Sequence, residues 1–329
     1  MDVRDPCLSR ALWITWHDHR RTKSIAACLR VPVHCHDRDD GVLRHLFGSL
    51  WAFWTLVRWR PRLVFLHHSY LLTATCVLYK KTFGRNRTTL IADCHNKALS
   101  RSMSGWRGRL FHGLKDWTLG NSDMIVVTNE QLTGLARRWC PEVAVLRDPL
   151  PVFPTVPADE DETGREFVFF ICSFDRDEPL DFLFAAALAI VADTDLDVAI
   201  SGNARRVQIP ADVQAEDRIR FTGFVPENEY LRLLHRAAAI VVLTEEEGCL
   251  VCGAYEAVGA GRPLILSDTM ALRQCFGGSA VFCEHEAEAL LAALSEARQK
   301  ENRSDHRERF QAAFDLEWER FLNQVGGLG

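Results

Sequence analysis

The stretch TEEEGCLVCGAYEAVGAGRP, Thr244 to Pro263, gathers three acids, two cysteines, a Tyr–Glu pair and four glycines within twenty residues. IVVLT just before it reads as a buried strand, EEEG as the turn at its carboxyl end, and LVCGAYEAVGAG as a helix. Leu250, Ala254 and Ala257/Val258 share one face of that helix, and Gly261 and Pro263 stop it. The turn then runs through Gly248, and the amides of Cys249, Leu250 and Val251 point outward at the helix start, where backbone N–H groups and the helix dipole favour an anion. Glu247 stands just ahead of the helix and Glu256 nine residues further on. Amides that can take a phosphate, flanked by acids that can accept from hydroxyls, suit a ligand carrying both groups. Cys249 and Cys252 form a lone C-x-x-C. Zinc would need Cys275, Cys283 and His285 as further ligands, and the helical spacing puts Cys252 inside the helix as a packing residue, so no metal is expected. The glycines match neither a Walker loop nor a dinucleotide fingerprint.

Other strand ends carry candidates too. His95, in IADCHN, follows an apolar run and can hydrogen-bond a hydroxyl or polarise a reacting centre, with Asp93 two residues earlier. His67 and His68 end another run. HDHRRTK (17–23) opens the first helix and offers His19, Arg20, Arg21 and Lys23; these could hold phosphate by side chain, or form an exposed basic face. Arg176 lies in an acidic loop after FVFFIC, and Arg205 and Arg206 follow AISGN.

The elements that must position these groups come in a repeated rhythm. Apolar runs at 11–16, 31–36, 63–68, 88–94, 124–129 and 143–148 alternate with helical spacing at 20–30, 43–59, 70–82, 105–119 and 130–140. The rhythm restarts with runs at 167–172, 197–202, 219–224, 240–244, 263–268 and 280–284, separated by helices near 178–192, 227–238, 250–260 and 286–299. Continuous apolar strands between helices predict parallel sheets covered on both faces: an α/β chain of two doubly wound, Rossmann-like domains facing a cleft. The expected boundaries are 1–150, a Pro-rich acidic linker at 151–164, a second domain at 165–304 and a closing amphipathic helix within 305–329, with Phe310, Phe314, Trp318, Phe321, Leu322 and Val325 on its apolar side.

Composition limits the function classes. The 329 residues are 47% hydrophobic and 25% charged, without an apolar run long enough for a membrane span. Eleven irregularly spaced cysteines suggest reduced thiols, and the N-terminus lacks a signal-peptide pattern; both point to a cytoplasmic protein. Residues 1–150 hold 23 Lys+Arg against 12 Asp+Glu, whereas 151–329 hold 16 against 32. That split fits two domains attracting each other, a phosphorylated ligand, or an anionic membrane surface; without a helix-turn-helix or aromatic–basic pattern, nucleic acid is not expected. LFGSLWAFWTLVRWRPR (46–62) spreads apolar residues around almost its whole circumference. It reads either as a helix buried against the sheet or as an interfacial segment with Arg58, Arg60 and Arg62 on headgroups.

The stretch from Thr244 through SDTMALRQCF, with the upstream IRFTGFVPENEYLRLLHRAAAIVVLT, resembles the donor-sugar motif of family 4 glycosyltransferases of the GT-B fold, over most of 165–300. WITWHDHRRTKSIAACL and IADCHN resemble the first domain of that family more loosely. The resemblance implies a retaining, nucleotide-sugar-dependent hexosyltransferase of glycoconjugate or polysaccharide synthesis, with no cofactor, because the nucleotide-sugar is a substrate. Its acceptor would be a carbohydrate, a lipid-linked glycan or a small molecule, with peripheral contact to an anionic membrane as one possibility. On the motif, Glu256 matches the acid that meets the ribose, Glu247 the acid that meets the sugar, His95 the histidine near the donor sugar, and Gly223 the glycine of the Gly-Phe-Val-Pro approach. There are three departures. The family spacing would put the first acid at Gly248, so the choice among Glu245, Glu246 and Glu247 stays open. No glycine-rich turn follows the first strand. The Arg…Lys pair expected after the first strand of the second domain is reduced to Arg176, with Arg205 and Arg206 as substitutes. A nucleotide-sugar epimerase or a non-catalytic nucleotide-sugar-binding protein on the same scaffold are the alternatives.

Overall fold

A computed structural model describes residues 8, 10–37, 43–84, 88–99, 105–154, 164–299 and 303–328. The chain divides into two compact units, Met1–Pro149 with Phe314–Gly329, and Leu150–Ala313. Residues 155–163 of the linker expected at 151–164 lie outside the described residues.

The first unit is built on a six-stranded parallel sheet in the order β2-β1-β3-β4-β5-β6. Its strands are β1 (Ala11–Thr15), β2 (Val33–Cys35), β3 (Leu63–His67), β4 (Thr89–Cys94), β5 (Met124–Val127) and β6 (Val143–Val145). Alternate side chains go to opposite faces. Leu12 and Ile14 pack beneath α2 (Arg44–Trp59), α3 (Tyr70–Phe83), α5 (Gly105–Leu119) and α6 (Glu130–Ala136). Ala11 and Trp13 turn to the other face, where α1 (Arg20–Leu29) packs together with Phe314, Phe321 and Val325 from the C-terminal part of α13 (Arg303–Gly326). A one-turn helix, α4 (Asn96–Leu99), follows β4. Local chemistry sets several helix starts: the Ser69 hydroxyl accepts from the Leu72 amide at the head of α3, and the Asn129 side chain accepts from Leu132 at the head of α6.

The second unit repeats the plan with the order β12-β11-β10-β7-β8-β9, all parallel. Its strands are β7 (Phe167–Phe170), β8 (Asp197–Ser201), β9 (Ile219–Gly223), β10 (Ala239–Val242), β11 (Leu264–Ser267) and β12 (Val281–Cys283). One face is covered by α7 (Leu180–Asp193) and α12 (Ala287–Gln299), the other by α9 (Glu227–Arg236), α10 (Cys252–Gly259), α11 (Met270–Phe276) and Phe310. A short helix, α8 (Ala211–Ala215), precedes β9. Two glycines hold the strand ends close. A Cβ on Gly202, whose φ is +93°, would sit 2.2 Å from the Cys172 carbonyl oxygen, and one on Gly253 would press on Ile171 and Val242 at 3.0–3.1 Å.

Strand order reverses once in each sheet, between β1 and β3 in the first and between β7 and β10 in the second. In open parallel sheets the crevice beyond the carboxyl ends at such a reversal is where ligands bind; His19, Arg176 and Glu247 follow strands at these two places, whereas Asp93 and His95 belong to the neighbouring strand end of β4, and Arg205, Arg206 and Gly223 to those of β8 and β9.

Candidate functional site

In the second unit the loops after β7 and β10 meet directly. The Glu245 amide donates to the Asp177 carbonyl at 2.7 Å and the Thr244 hydroxyl to the same oxygen at 3.2 Å. The Thr244 amide donates to the Ser267 hydroxyl at 2.9 Å, and that hydroxyl pairs with His285 Nε2 at 2.9 Å, tying the ends of β10 and β11 together.

The turn Thr244–Val251 then delivers the chain into α10, whose first residue is Cys252. This corrects two expectations. The Cys249 amide donates to the Glu246 carbonyl inside the turn, so it does not point to a ligand, whereas the amides of Leu250 and Val251 have no partner among the described residues. Cys252 is exposed rather than packed, because the helix begins at it instead of running through it. Glu247 is exposed and one of its oxygens accepts from the Met270 amide at 2.7 Å, which caps the first turn of α11. Glu246 is half-buried in the turn and Glu245 exposed. Glu256 sits on α10, half-buried, and accepts a hydrogen bond from the Tyr230 hydroxyl of α9. The carboxylate is thereby oriented before any ligand arrives.

The loop after β7 carries an unexpected device. Glu178 accepts from the amides of Ser173 and Asp175, both at 2.9 Å, and from the Ser173 hydroxyl at 3.1 Å. An internal carboxylate thus fills the amide hollow that an external anion would otherwise meet. Burial and the neighbouring Glu178 carboxylate push the Cys172 thiol up, so it stays protonated. Of the three arginines expected here, Arg176 and Arg205 are exposed without an ion pair among the described residues, while Arg206 holds Asp175 at 2.8 Å. Gly223 ends β9 with φ +69° and open space around it.

In the first unit the corresponding crevice is lined with imidazoles. His17 and His19 follow β1, His67 ends β3 and His68 follows it, and His95 follows β4. The His19 ring lies 4.3 Å from that of His67, which lies 5.1 Å from that of His95. Beneath them Arg21, buried on α1, donates from Nε to both Asp93 oxygens at 3.0 Å, from Nη2 to Oδ1 at 2.9 Å, and from Nη1 to Asp148. Burial alone would raise the Asp93 carboxyl, but the Arg21 guanidinium overrides it and holds it far below the usual carboxylate range. Neither expectation for Arg21, a phosphate contact or an exposed basic face, holds: its guanidinium forms this internal pair, and Asp93 lies below the imidazoles rather than among the groups open to an acceptor. Lys23 remains outside, paired with Asp18 at 2.7 Å, and Arg20 is exposed at the helix start. Asp18 and Lys23 line a cavity of about 590 Å³ together with Cys35, His36, Asp37 and Trp51.

His95 keeps an exposed edge, with 40% of its side chain accessible, while its Nε2 is buried 4.0 Å from Asp93 Oδ2. Burial lowers its pKa to about 4 even though Asp93 pulls the other way. His19 is lowered as well, by burial and then by His67 and His17. Both are neutral at pH 7, so each ring carries one donor and one acceptor nitrogen, a fit for a sugar hydroxyl. His68 is buried, its Nδ1 paired with the Thr73 hydroxyl at 2.9 Å, and belongs to the core rather than the crevice wall.

Among the described residues two sets of atoms that could ligate a cation each converge within 4.8 Å: His67, Asp93 and His95, and Asp177, Glu246 and Cys249. The first is a poor fit, because Asp93 already neutralises Arg21 and that guanidinium would repel an ion. The second lies where the loops after β7 and β10 meet.

Sequence reasoning missed Tyr230, Glu178 and Asp148. ENEYLRLL carries only a helix signal, and the pairing of Asp148 with Arg21 spans 127 positions.

Residues 165–299 match the family model of glycosyl transferases group 1. Curated glycogen synthases of Mycobacterium tuberculosis are 24% identical over 248 residues, covering 71% of this chain. The chain spans 59% of their length. Among solved structures, sucrose-phosphate synthase from Thermosynechococcus elongatus superposes with a TM-score of 0.69 at 17% identity, covering 97% of this chain and 99% of that one. The Anabaena protein HepE, solved in complex with UDP, superposes with a TM-score of 0.65 at 11% identity, covering 97% and 98%. Two parallel six-stranded sheets flanked by helices are the fold of these GT-B glycosyltransferases.

Proposed function

We propose that this chain is a glycosyltransferase that moves a hexosyl group from a nucleotide-sugar to a carbohydrate, lipid-linked or small-molecule acceptor, with retention of anomeric configuration. The observation that carries the reading is that the group 1 match over 165–299 falls on the residues that build the β7/β10 crevice. Peripheral contact with an anionic membrane belongs to the same reading, as a lipid-linked acceptor would require.

In this reading the donor diphosphate lies against the Leu250 and Val251 amides at the head of α10. With Glu178 filling the hollow after β7, the remaining positive charge comes from Arg176 and Arg205. Glu256, oriented by Tyr230, accepts from the ribose hydroxyls. Glu247, fixed to the Met270 amide through one oxygen, offers the other to a sugar hydroxyl. His95 presents a neutral imidazole to a hydroxyl of the sugar. During transfer the bond from the anomeric carbon to the diphosphate oxygen breaks, and the acceptor oxygen bonds to that carbon on the same face. The acceptor proton passes to the departing phosphate oxygen. The chain orients the donor and stabilises the charge that grows on the leaving group. The reading assigns no cofactor, and the nucleotide-sugar is a substrate.

Incubation with a panel of nucleotide-sugars and acceptors tests it. The expected result is acceptor-dependent release of a nucleoside diphosphate and a product whose anomeric configuration, read by NMR, matches the donor. Conversion of the donor without an acceptor would instead make the protein an epimerase. Binding without turnover across the panel would make it a binding protein.

A further inference from the structure

Helix α2 buries only one of its two apolar sides. Gly48, Ala52, Thr55 and Leu56 face the sheet. On the opposite side Leu43, Leu46, Phe47, Leu50 and Trp54 recur at helical spacing and are all exposed, Leu50 by 60% and Trp54 by 66%. Of the two sequence readings of this segment, a helix buried against the sheet describes one side only. α2 packs on α3, and α3 on α5, over the same face of the sheet. The outer sides of those neighbours expose Leu71 and Leu78, and Trp106 and Leu110. A contiguous apolar surface of this kind marks an interaction site, because water-facing helix sides are otherwise polar.

The stretch that forms it is basic, although Asp37 pairs with Arg44 at 3.5 Å and Asp123 with Lys80 from outside it. From residue 41 to residue 92 there is no Asp or Glu, while eight Lys and Arg fall in that span. Arg58, Arg60 and Arg62, at and just beyond the carboxyl end of α2, are exposed and form no ion pair among the described residues. A second copy of the chain would bring the same cations against these, which disfavours self-association through this face. An anionic lipid surface complements both properties: apolar side chains with tryptophan enter the boundary between headgroups and acyl chains, and guanidinium groups pair with phosphate.

We propose that the outer side of α2, continued by α3 and α5, docks the protein on the surface of an anionic lipid bilayer. Leu43, Leu46, Phe47, Leu50 and Trp54 form the part that inserts, and Arg58, Arg60 and Arg62 the part that meets headgroup phosphates. Among the described residues no helix is long and apolar enough to cross a membrane, so this contact lies in the plane of the surface. This places on the fold the membrane contact that the proposed function includes; none of these residues is among the candidate site residues, and the test below uses no donor or acceptor, so failure of docking and failure of transfer are told apart.

Sedimentation of the full chain with vesicles tests the proposal, without donor or acceptor present. One set is phosphatidylcholine alone, the other equal parts phosphatidylcholine and phosphatidylglycerol. The wild type is expected to bind the mixed vesicles and to bind phosphatidylcholine weakly. Leu50→Glu with Trp54→Glu, and separately Arg58→Glu with Arg62→Glu, are each expected to weaken binding by about tenfold or more. Thermal midpoints should be unchanged, because these side chains are exposed. If the glutamate pair unfolds the chain, Leu46→Ser with Leu50→Ser takes its place. A wild type that ignores mixed vesicles overturns the proposal, as does a helix variant that binds like wild type. A dimer that Leu50→Glu with Trp54→Glu dissociates, without vesicle binding, assigns the face to a second copy and overturns it as well.

Discussion

The two crevices, at β1/β3 and at β7/β10, stand at equivalent reversals of strand order and are finished in opposite ways. The first is floored by a buried ion pair, with Arg21 clamped between Asp93 and Asp148 and imidazoles layered above. The second is walled by turn and helix acids that are exposed or half-buried, each already tied to a hydrogen-bond donor: Glu247 to the Met270 amide, Glu256 to Tyr230 and Glu178 to the loop amides. One crevice places its charges where they hold the sheet; the other places them where a ligand can reach. Substitutions in the first should therefore unfold, and substitutions in the second should disarm.

The largest expected effect is on the first side. Asp93→Ala leaves Arg21 with a charge buried and half of its partners removed, a loss of about 3–5 kcal/mol by analogy with other broken buried pairs. Chemical denaturation would read it, and a midpoint near that of the wild type would break the comparison. On the second side, Glu256→Ala should leave stability within about 1 kcal/mol while donor affinity drops about 10- to 100-fold, the worth of one or two hydrogen bonds to a charged group. A smaller effect depends on pH. Burial pushes His68 down to about 3, so between pH 6.5 and that value the unfolded chain binds a proton that the folded chain does not. Stability from this residue is therefore full above pH 6.5 and falls as the pH drops, by about 2 kcal/mol at pH 5. His68→Gln should flatten that part of the pH profile of thermal unfolding; an unchanged slope would show that another group carries it. The smallest effect belongs to the exposed Arg206–Asp175 pair: Asp175→Ala should change stability by less than about 1 kcal/mol. It frees a third arginine beside the crevice, so donor affinity should rise or hold rather than fall.

The same contrast explains what could be read from the sequence. Both sheets were legible, because strands covered on two faces are nearly continuous apolar runs and the helices between them keep a 3.6-residue period. FVFFIC contains β7 and LIADC most of β4. The helix start at α10 was misplaced by about two residues, because the turn closes through a backbone bond from Cys249 to Glu246 that no side-chain pattern announces. Arg21 and Arg20 are neighbours of the same type in HDHRRTK, yet one is buried and the other exposed. Only the partner carboxylates 72 and 127 positions away decide which. Glu178 looked like one more acid in a loop that lacked a lysine. Its role as an internal anion depends on the backbone turn at Phe174, which adopts φ 60°. α2 was legible as apolar all round, but which side faces the sheet needed the fold.

The central claim is that the β7/β10 crevice grips a nucleotide-sugar through the head of α10 and Glu256. Isothermal titration of nucleotide-sugars into the wild type and Glu256→Gln, with matched circular dichroism, tests it most directly. The account predicts saturable binding of at least one donor to the wild type, and binding weakened about 10- to 100-fold in a variant of unchanged fold. Equal affinity in the two proteins, or no binding of any donor by the wild type, would contradict it.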